Sequence, residues 1–404
     1  MSINDQMVPL KKPKHYNLEI TLFSSIRILV HSMMRMVYPF LAVIARGLGV
    51  DLPTISIAIT IRNFSAILVP FITSIFDRRS RRNGMVTGVG LFVLGSALVT
   101  IWPNFIVFVV AVSLTFIGMH VFVASMQAYQ SDTIPVPFRE QAIVITSLGW
   151  AMSIIIAVPL LGFLIGRYGW LAPFPVLGGL GVIAIIGLII LVPKTKTTSD
   201  NQPVQIQNGI WQVFKSRNAI AGVLMILFFC AAHEVVNLVF GVWMEDTYGL
   251  SINELGLAST AIGLAELISV ALISWLITRV GAKSSVGIGL VASSITAISI
   301  PLLGSTGVWG AEIGLFLFNL AFQMPFIAYA PLLSEVLPTA KASLLGTTFA
   351  AVGIGRMFGA LIAPYIFAEG FVYNAIISMV LFIISLFCLS KVKTQKLVKP
   401  ITSQ

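Results

Sequence analysis

The chain has 404 residues, of which 57% are hydrophobic and only 10% charged, with a mean hydropathy of +0.97. Soluble domains carry roughly 25% charged residues, so this composition excludes a soluble enzyme. The formal net charge of +10 would suit nucleic acid, but the placement of the 25 Lys and Arg residues decides against that partner.

Twelve apolar stretches of about 18 to 27 residues fill the chain almost end to end. A hydrocarbon core of about 30 Å needs about 20 helical residues to cross, so these read as transmembrane helices in a lipid bilayer. In chain order they span 18–45, 52–76, 84–103, 105–128, 141–167 and 171–193, then 219–245, 252–277, 284–304, 309–334, 341–368 and 370–390. The expected fold class is an all-α membrane protein of two pseudo-symmetric six-helix bundles, 1–193 and 219–404, joined by a cytoplasmic central loop at 194–218. That loop is polar at first and ends in a mildly amphipathic patch around Ile210, Trp211, Val213 and Phe214. Residues 1–19 are polar with scattered lysines, and the helix that follows lacks a small-residue cleavage site, so no cleaved signal peptide is expected.

Among the basic residues, only Arg46 and Arg167 fall in turns on one side, and Arg27, Arg35, Arg62 and Arg356 lie inside helices. The remaining Lys and Arg share the opposite side, which the positive-inside rule makes cytoplasmic, with both termini there and the plasma (inner) membrane the expected location. Asp51, Glu245, Asp246, Glu254 and Glu369 complement this on the outer side.

A charge at the bilayer centre costs about 2.5 to 3.5 kcal/mol on insertion scales, so the intramembrane ionisable residues are the functional candidates. Helix one carries Arg27, His31 and Arg35 four apart, on one face. Arg27 is near enough to the cytoplasm to snorkel; His31 and Arg35 are too deep. Tyr38 lies one turn past Arg35, beside Pro39. Helix two carries Arg62 and helix four His120, which reads either as a packing histidine or as a proton relay. Helix seven carries His233 and Glu234, helix eight Glu266 and helix eleven Arg356, while helix ten supplies the amides Asn319 and Gln323 one turn apart. Helices three, five, six, nine, ten and twelve have no ionisable residue in their interiors.

His233-Glu234-Val235-Val236-Asn237 approaches the zinc-protease pattern, but Asn237 stands where the second histidine would be. No metal site follows, no cofactor is expected, and Asn237 joins the polar cavity set instead. Cys230 and Cys388 sit within apolar helices and read as packing residues. Pro39, Pro70, Pro159 and Pro325 fall inside spans, and Gly353, Gly355 and Gly359 on helix eleven would permit close packing or sliding.

The two halves repeat. Gly49-Val-Asp-Leu aligns with Gly249-Leu-Ser-Ile at an offset of 200, Asp77 to Arg82 with Thr278 to Lys283 at 201, and Ser131 to Pro135 with Ser334 to Pro338 at 203. At the offset of 200, Glu234 corresponds to Met34, next to Arg35, so opposite charges stand at equivalent depth. An approach of Arg35 to Glu234 across the cavity is the first expectation. The alternative for Glu266 is a permanent pair with Arg62 or Arg356. Glu234 is the preferred proton-exchange site and Glu266 the second, because desolvation disfavours the charged form of a carboxylate.

After helix two, Thr73-Ser-Ile-Phe-Asp77-Arg78-Arg79-Ser80-Arg81-Arg82 resembles the Gly-x-Leu-Ala-Asp-Arg-x-Gly-Arg-Lys signature of the major facilitator superfamily. Ser274-Trp-Leu-Ile-Thr278-Arg279-Val-Gly281-Ala-Lys283 resembles its degenerate second copy. Thr73 and Ser80 replace both glycines, and Thr278 replaces the second-half Asp. The resemblance implies parallel six-helix halves with the binding site between them. It also implies a cavity lined by helices one, four, seven and ten, and a gating role for Asp77, Arg78, Arg82 and Arg279. Val158-Pro159-Leu160-Leu161-Gly162-Phe163 partly resembles a drug:proton antiporter motif, although helix four lacks the arginine those exporters often carry.

The reading is a monomeric secondary active transporter of a small organic solute, proton-coupled and not an enzyme. Four basic or potentially basic residues, His31, Arg35, Arg62 and His120, would suit an organic anion or metabolite. Glu234 and Glu266 beside an apolar wall would instead suit export of lipophilic cationic drugs. A transporter-like sensor and a lipid-moving protein are the alternatives outside coupled transport.

Overall fold

The computed structural model describes residues 16–69, 71–73, 80–194 and 206–393. Among these, ten helices are long and apolar enough to cross a membrane, and a bent pair supplies an eleventh. Leu52–Leu68, an apolar helix below that length, stands where the second span is expected. The helices are α1 in two pieces, Tyr16–Met36 and Leu41–Leu48; α2, Leu52–Phe64 with a 3-10 turn Ser65–Leu68; α3, Arg81–Ile101; α4, Phe105–Thr133; α5, Val136–Tyr168; and α6, Pro173–Leu191. The second half has α7, Arg217–Tyr248; α8, Ile252–Val280; α9, Ala282–Gly304; α10, Val308–Ser334; α11, Lys341–Phe367; and α12, Phe371–Lys391.

Local chemistry sets the element ends. Gly49 and Gly249 close α1 and α7 in the left-handed conformation, at φ of 68° and 67°, a geometry that glycine adopts without steric cost. Asp51 then caps α2 by accepting from the Thr54 amide at 2.9 Å, hydrogen bonding that holds its carboxyl below the usual range. Ser251 and Glu254 form a capping box that starts α8.

Four details differ from the sequence reading. Helix four runs on to Thr133 and helix five begins at Val136, because the polar residues there extend the helices beyond the apolar core. The central segment contains a ten-residue helix, Ile206–Lys215, on which Trp211 and Phe214 are exposed and Val213 is buried. Helix one bends by 70° between Met36 and Leu41, where Pro39 lacks an amide hydrogen and crowds the preceding turn. Helix seven is interrupted at the equivalent level, between Asn237 and Phe240.

The repeat is visible in the packing. Gly88 on α3 lies against the backbone of Gly118 and Phe122 on α4, and Gly289 on α9 lies against Pro325 on α10. Arg82 donates to the Val192 carbonyl at 3.3 Å after α6, and Lys283 donates to the Val392 carbonyl at 2.6 Å after α12. These pairs stand at the offsets that the chain itself displays. Across the halves, α2 packs on α11 and α5 on α8, the exchange a two-fold relation requires. Gly353 sits against Asn63 and Ala66 of α2, while Gly355 and Gly359 let α7 close onto α11. α7 is 72% buried and α6 only 28%, which makes the former central and the latter peripheral.

At the end that carries Gly49 and Gly249, the second pieces of α1 and α7 lean on each other. Arg46 pairs with Glu245 at 2.6 Å there, and Gly162 of α5 meets Gly256 of α8. A Cβ at Gly241 would lie 2.5 Å from the Pro39 carbonyl oxygen, a backbone contact that cannot yield cheaply. Gly241→Val is therefore expected to force this end apart. Cysteines placed at positions 46 and 245 should be joined efficiently by a flexible bis-maleimide crosslinker in the otherwise parental chain and at least several-fold more slowly in the Gly241→Val background; equal rates would refute the contact.

Candidate functional site

Ionic groups from both halves meet in the middle of the bundle. Arg35, in the last turn of α1 before its break, donates from both terminal nitrogens to Glu266 of α8, at 2.8 Å and 2.7 Å. This is the planar two-pronged geometry in which guanidinium and carboxylate bind best. The Arg35 guanidinium also lies 4.0 Å above the Trp150 ring of α5, and the His31 ring stands edge-on to that same indole. Arg35 and Glu266 are both buried.

A second group surrounds Glu234 of α7, which is 0% exposed. The Tyr38 hydroxyl donates to Glu234 Oε1 at 2.9 Å, and Arg62 Nη2 donates to the Tyr38 oxygen at 2.8 Å. Asn63 Nδ2 reaches the same carboxylate oxygen at 3.4 Å, and Arg356 of α11 reaches the other at 3.5 Å. The carboxylate thus accepts from α1 and α2 of one half and from α11 of its own.

The expected Arg35 to Glu234 contact is not formed: Arg35 takes Glu266, and Glu234 takes Tyr38, Asn63 and Arg356. Equal depth did not decide the partners. The break after Met36 turns Tyr38 toward Glu234, while Arg35 stays on the α1 face that looks at α5 and α8. The alternative pairing of Glu266 with Arg62 or Arg356 is likewise replaced by Arg35. Arg27 does not snorkel; it is buried, with Nη1 3.4 Å from Ser147 Oγ.

The other candidates fall into place around these links. His31 and His120 each hold a backbone carbonyl one turn back through Nδ1, at 2.7 Å and 2.9 Å. The His120 ring also packs on Phe116 and on Phe349 of the opposite half. His233 is stacked between Phe318 and Phe322, with Nε2 3.2 Å from Asn319 Oδ1. Gln323 is buried, and its Oε1 has no hydrogen-bond partner. Asn237 is half-buried at the end of the first piece of α7, outside the network.

The gating residues divide differently. Asp77 and Arg78 lie outside the described residues. Arg82 bonds the carbonyls that end α6 in its own half, and Arg279 lies 4.6 Å over the Trp275 ring of its own helix, so among the described residues neither bridges the halves. Sequence reasoning missed Asn63 and Trp150. Asn63 was detectable, since an amide beside an arginine in an otherwise apolar span is itself a costly group that needs a partner.

Arg62 differs from the other two midplane arginines. It is 2% exposed, touches no carboxylate, and leaves Nε and Nη1 without partners. It borders a narrow crevice lined by Val30, Met33, Met34, Val37, Val112 and Phe116. No group of three or more metal-binding side chains occurs among the described residues.

The architecture of two six-helix halves, joined by buried ionic contacts, is that of a membrane transporter. The family model of the Major Facilitator Superfamily matches residues 23–240 and again 223–403, so the chain belongs to the Major Facilitator Superfamily. It is 24% identical over 324 residues to the uncharacterised MFS-type transporter YbcL of Bacillus subtilis (strain 168), covering 78% of this chain and 82% of that one. It is 21% identical over 323 residues to the purine ribonucleoside efflux pump NepI of Shigella sonnei (strain Ss046), covering 80% of each. The crystal structure of the nucleoside transporter NupG superposes with a TM-score of 0.76 over 93% of this chain and all of that one, at 12% identity, a likeness of fold. The protein is a multi-pass membrane transporter, not an enzyme.

Removing one member of a buried ion pair typically costs 3–5 kcal/mol, because the other charge is left unpaired. Arg35→Met and Glu266→Leu are each expected to lower the thermal unfolding midpoint of the purified protein clearly. The double variant should regain most of that loss, and additive losses would show that the pair is not coupled.

Proposed function

We propose that the chain is a proton-coupled secondary transporter that exposes a midplane site alternately to the two sides of the membrane. Its substrate is a small organic solute with an anionic or acceptor-rich group. The observation that carries this reading is the balance of the buried charges. Both midplane carboxylates are already held by arginines, whereas Arg62 keeps two guanidinium nitrogens free of partners. A lipophilic cation would have to displace an arginine to find a carboxylate; an acceptor group needs only to reach Arg62.

Glu234 is the proton-binding group in this proposal. Its carboxylate accepts from Tyr38 and Asn63 of the opposite half, so a proton on it replaces an acceptor site with a donor and weakens that tie. Protonation then favours separation of the halves at the Gly49 end. Loss of the proton restores the closure seen here. Glu266, in its two-pronged pair, is the second candidate. With the Gly49 end outside and both termini cytoplasmic, as the lysine and arginine distribution suggests, this conformation is closed to the exterior. Membrane potential would add about 2.3 kcal/mol per charge moved through 100 mV. Import and export are both served by this cycle, in a bacterial-type inner membrane and by a single copy of the chain.

Nucleosides form a second substrate set, since NepI is a purine ribonucleoside efflux pump and NupG a nucleoside transporter, and nucleosides are rich in acceptors without a net charge. Proteoliposomes with an imposed pH gradient separate the cases when organic anions, nucleosides and lipophilic cations are offered in parallel. Accumulation of one of the first two is expected. Glu234→Gln should lose gradient-driven accumulation by about tenfold while keeping exchange of substrate for substrate, and Arg62→Gln should weaken both. Accumulation by Glu234→Gln at the parent level would refute the proton site, and transport confined to cations would refute the substrate class.

A further inference from the structure

A cavity of about 700 Å³ lies away from the midplane, between the first turns of α8 and α10 at the Gly49 end. Its volume falls within the range of small-molecule sites. Tyr248, Leu257, Trp309 and Phe316 line it together with two carboxylates, Glu254 and Glu312, and among the described residues no lysine, arginine or histidine lines it. We infer that this groove is a ligand site separate from the transport pathway, and that it takes a bulky lipophilic cation delivered from the lipid.

Three features of the groove select that chemistry. Glu312 is half-buried, and among the described residues it has no hydrogen bond and no ion pair. A carboxylate partly removed from water with no counter-charge carries an uncompensated desolvation cost, which a cation would offset. Glu254 has committed one oxygen, Oε2, to Ser251 and adds a second negative charge to the same wall. The rest of the wall is apolar and aromatic, with Trp309 80% exposed at its rim, and aromatic faces attract cations. Leu257 and Ile313 are exposed beside it, so the groove opens sideways, toward the bilayer. A phospholipid headgroup fits poorly, because its phosphate would face two carboxylates and no basic side chain.

The test uses the full-length protein in phosphatidylcholine nanodiscs, with tetraphenylphosphonium binding followed by equilibrium dialysis. Saturable binding at one site is expected. Glu312→Gln and Trp309→Ala should each weaken it about tenfold, a factor that corresponds to ~1.4 kcal/mol. Both positions are at the surface of the bundle, and an unchanged thermal midpoint verifies that each variant is folded. Glu234→Gln should bind as the parent does. Absence of saturable binding overturns the proposal, as does binding that survives in both groove variants but fails in Glu234→Gln, which would move the cation to the midplane. Displacement of the cation when phosphatidylethanolamine replaces phosphatidylcholine would give the groove to a lipid amine and also overturn it.

Discussion

The structure depends on one constraint: a charge in the hydrocarbon layer is costly unless a partner within the bundle offsets it. Insertion of a single charged side chain at the bilayer centre costs about 2.5 to 3.5 kcal/mol, and this chain places several there. Arg35 is answered by Glu266, and Glu234 by Arg356, Tyr38 and Asn63. In both groups at least one partner belongs to the other six-helix half. Electrical satisfaction and the relative position of the halves are therefore a single variable, and parting the halves at this level requires a proton, a solute or water to replace what is lost.

The scaffold around these charges is close to symmetric, whereas the charges are not. Gly49 and Gly249, Gly88 and Gly289, and Arg82 and Lys283 do the same work in the two halves. α2 on α11 is the counterpart of α5 on α8. In the proposed cycle, such matched contacts would let one half rock on the other without favouring either extreme. Both midplane carboxylates lie in the second half, whereas the basic groups are divided, with Arg35 and Arg62 in the first half and Arg356 in the second, so in the proposed cycle the preference between extremes falls to groups that a ligand or proton can change.

The apolar spans, the repeat and the buried ionisable groups were legible in the sequence because each follows from composition or spacing. Twelve hydrophobic lengths and three landmarks at drifting offsets need no knowledge of side-chain direction. Partner choice does need it. Arg35 and Glu234 lie at the same depth, but a helix places residues around a cylinder, and the bend at Pro39 rotates Tyr38 away from the course Arg35 would predict. Asn63 and Trp150 were overlooked for a related reason. Neither is ionisable, and the part each plays comes from the neighbour it faces, Glu234 for one and Arg35 for the other.

The two inter-half links differ in kind, and this difference assigns their tasks. Arg35 and Glu266 satisfy each other at near-ideal distance, with an indole on the guanidinium, and little within that pair invites a third partner. Glu234 instead accepts from three residues at lengths from 2.9 Å to 3.5 Å, so none of its contacts is both short and charged. Beside it Arg62 has donors to spare. A tight pair holds the halves in register; a loosely shared carboxylate next to an unsatisfied cation is where a small change in protonation or occupancy alters the balance. In the proposed rocking cycle the bearing therefore lies at Arg35 and Glu266 and the trigger at Glu234, on the two sides of one broken helix.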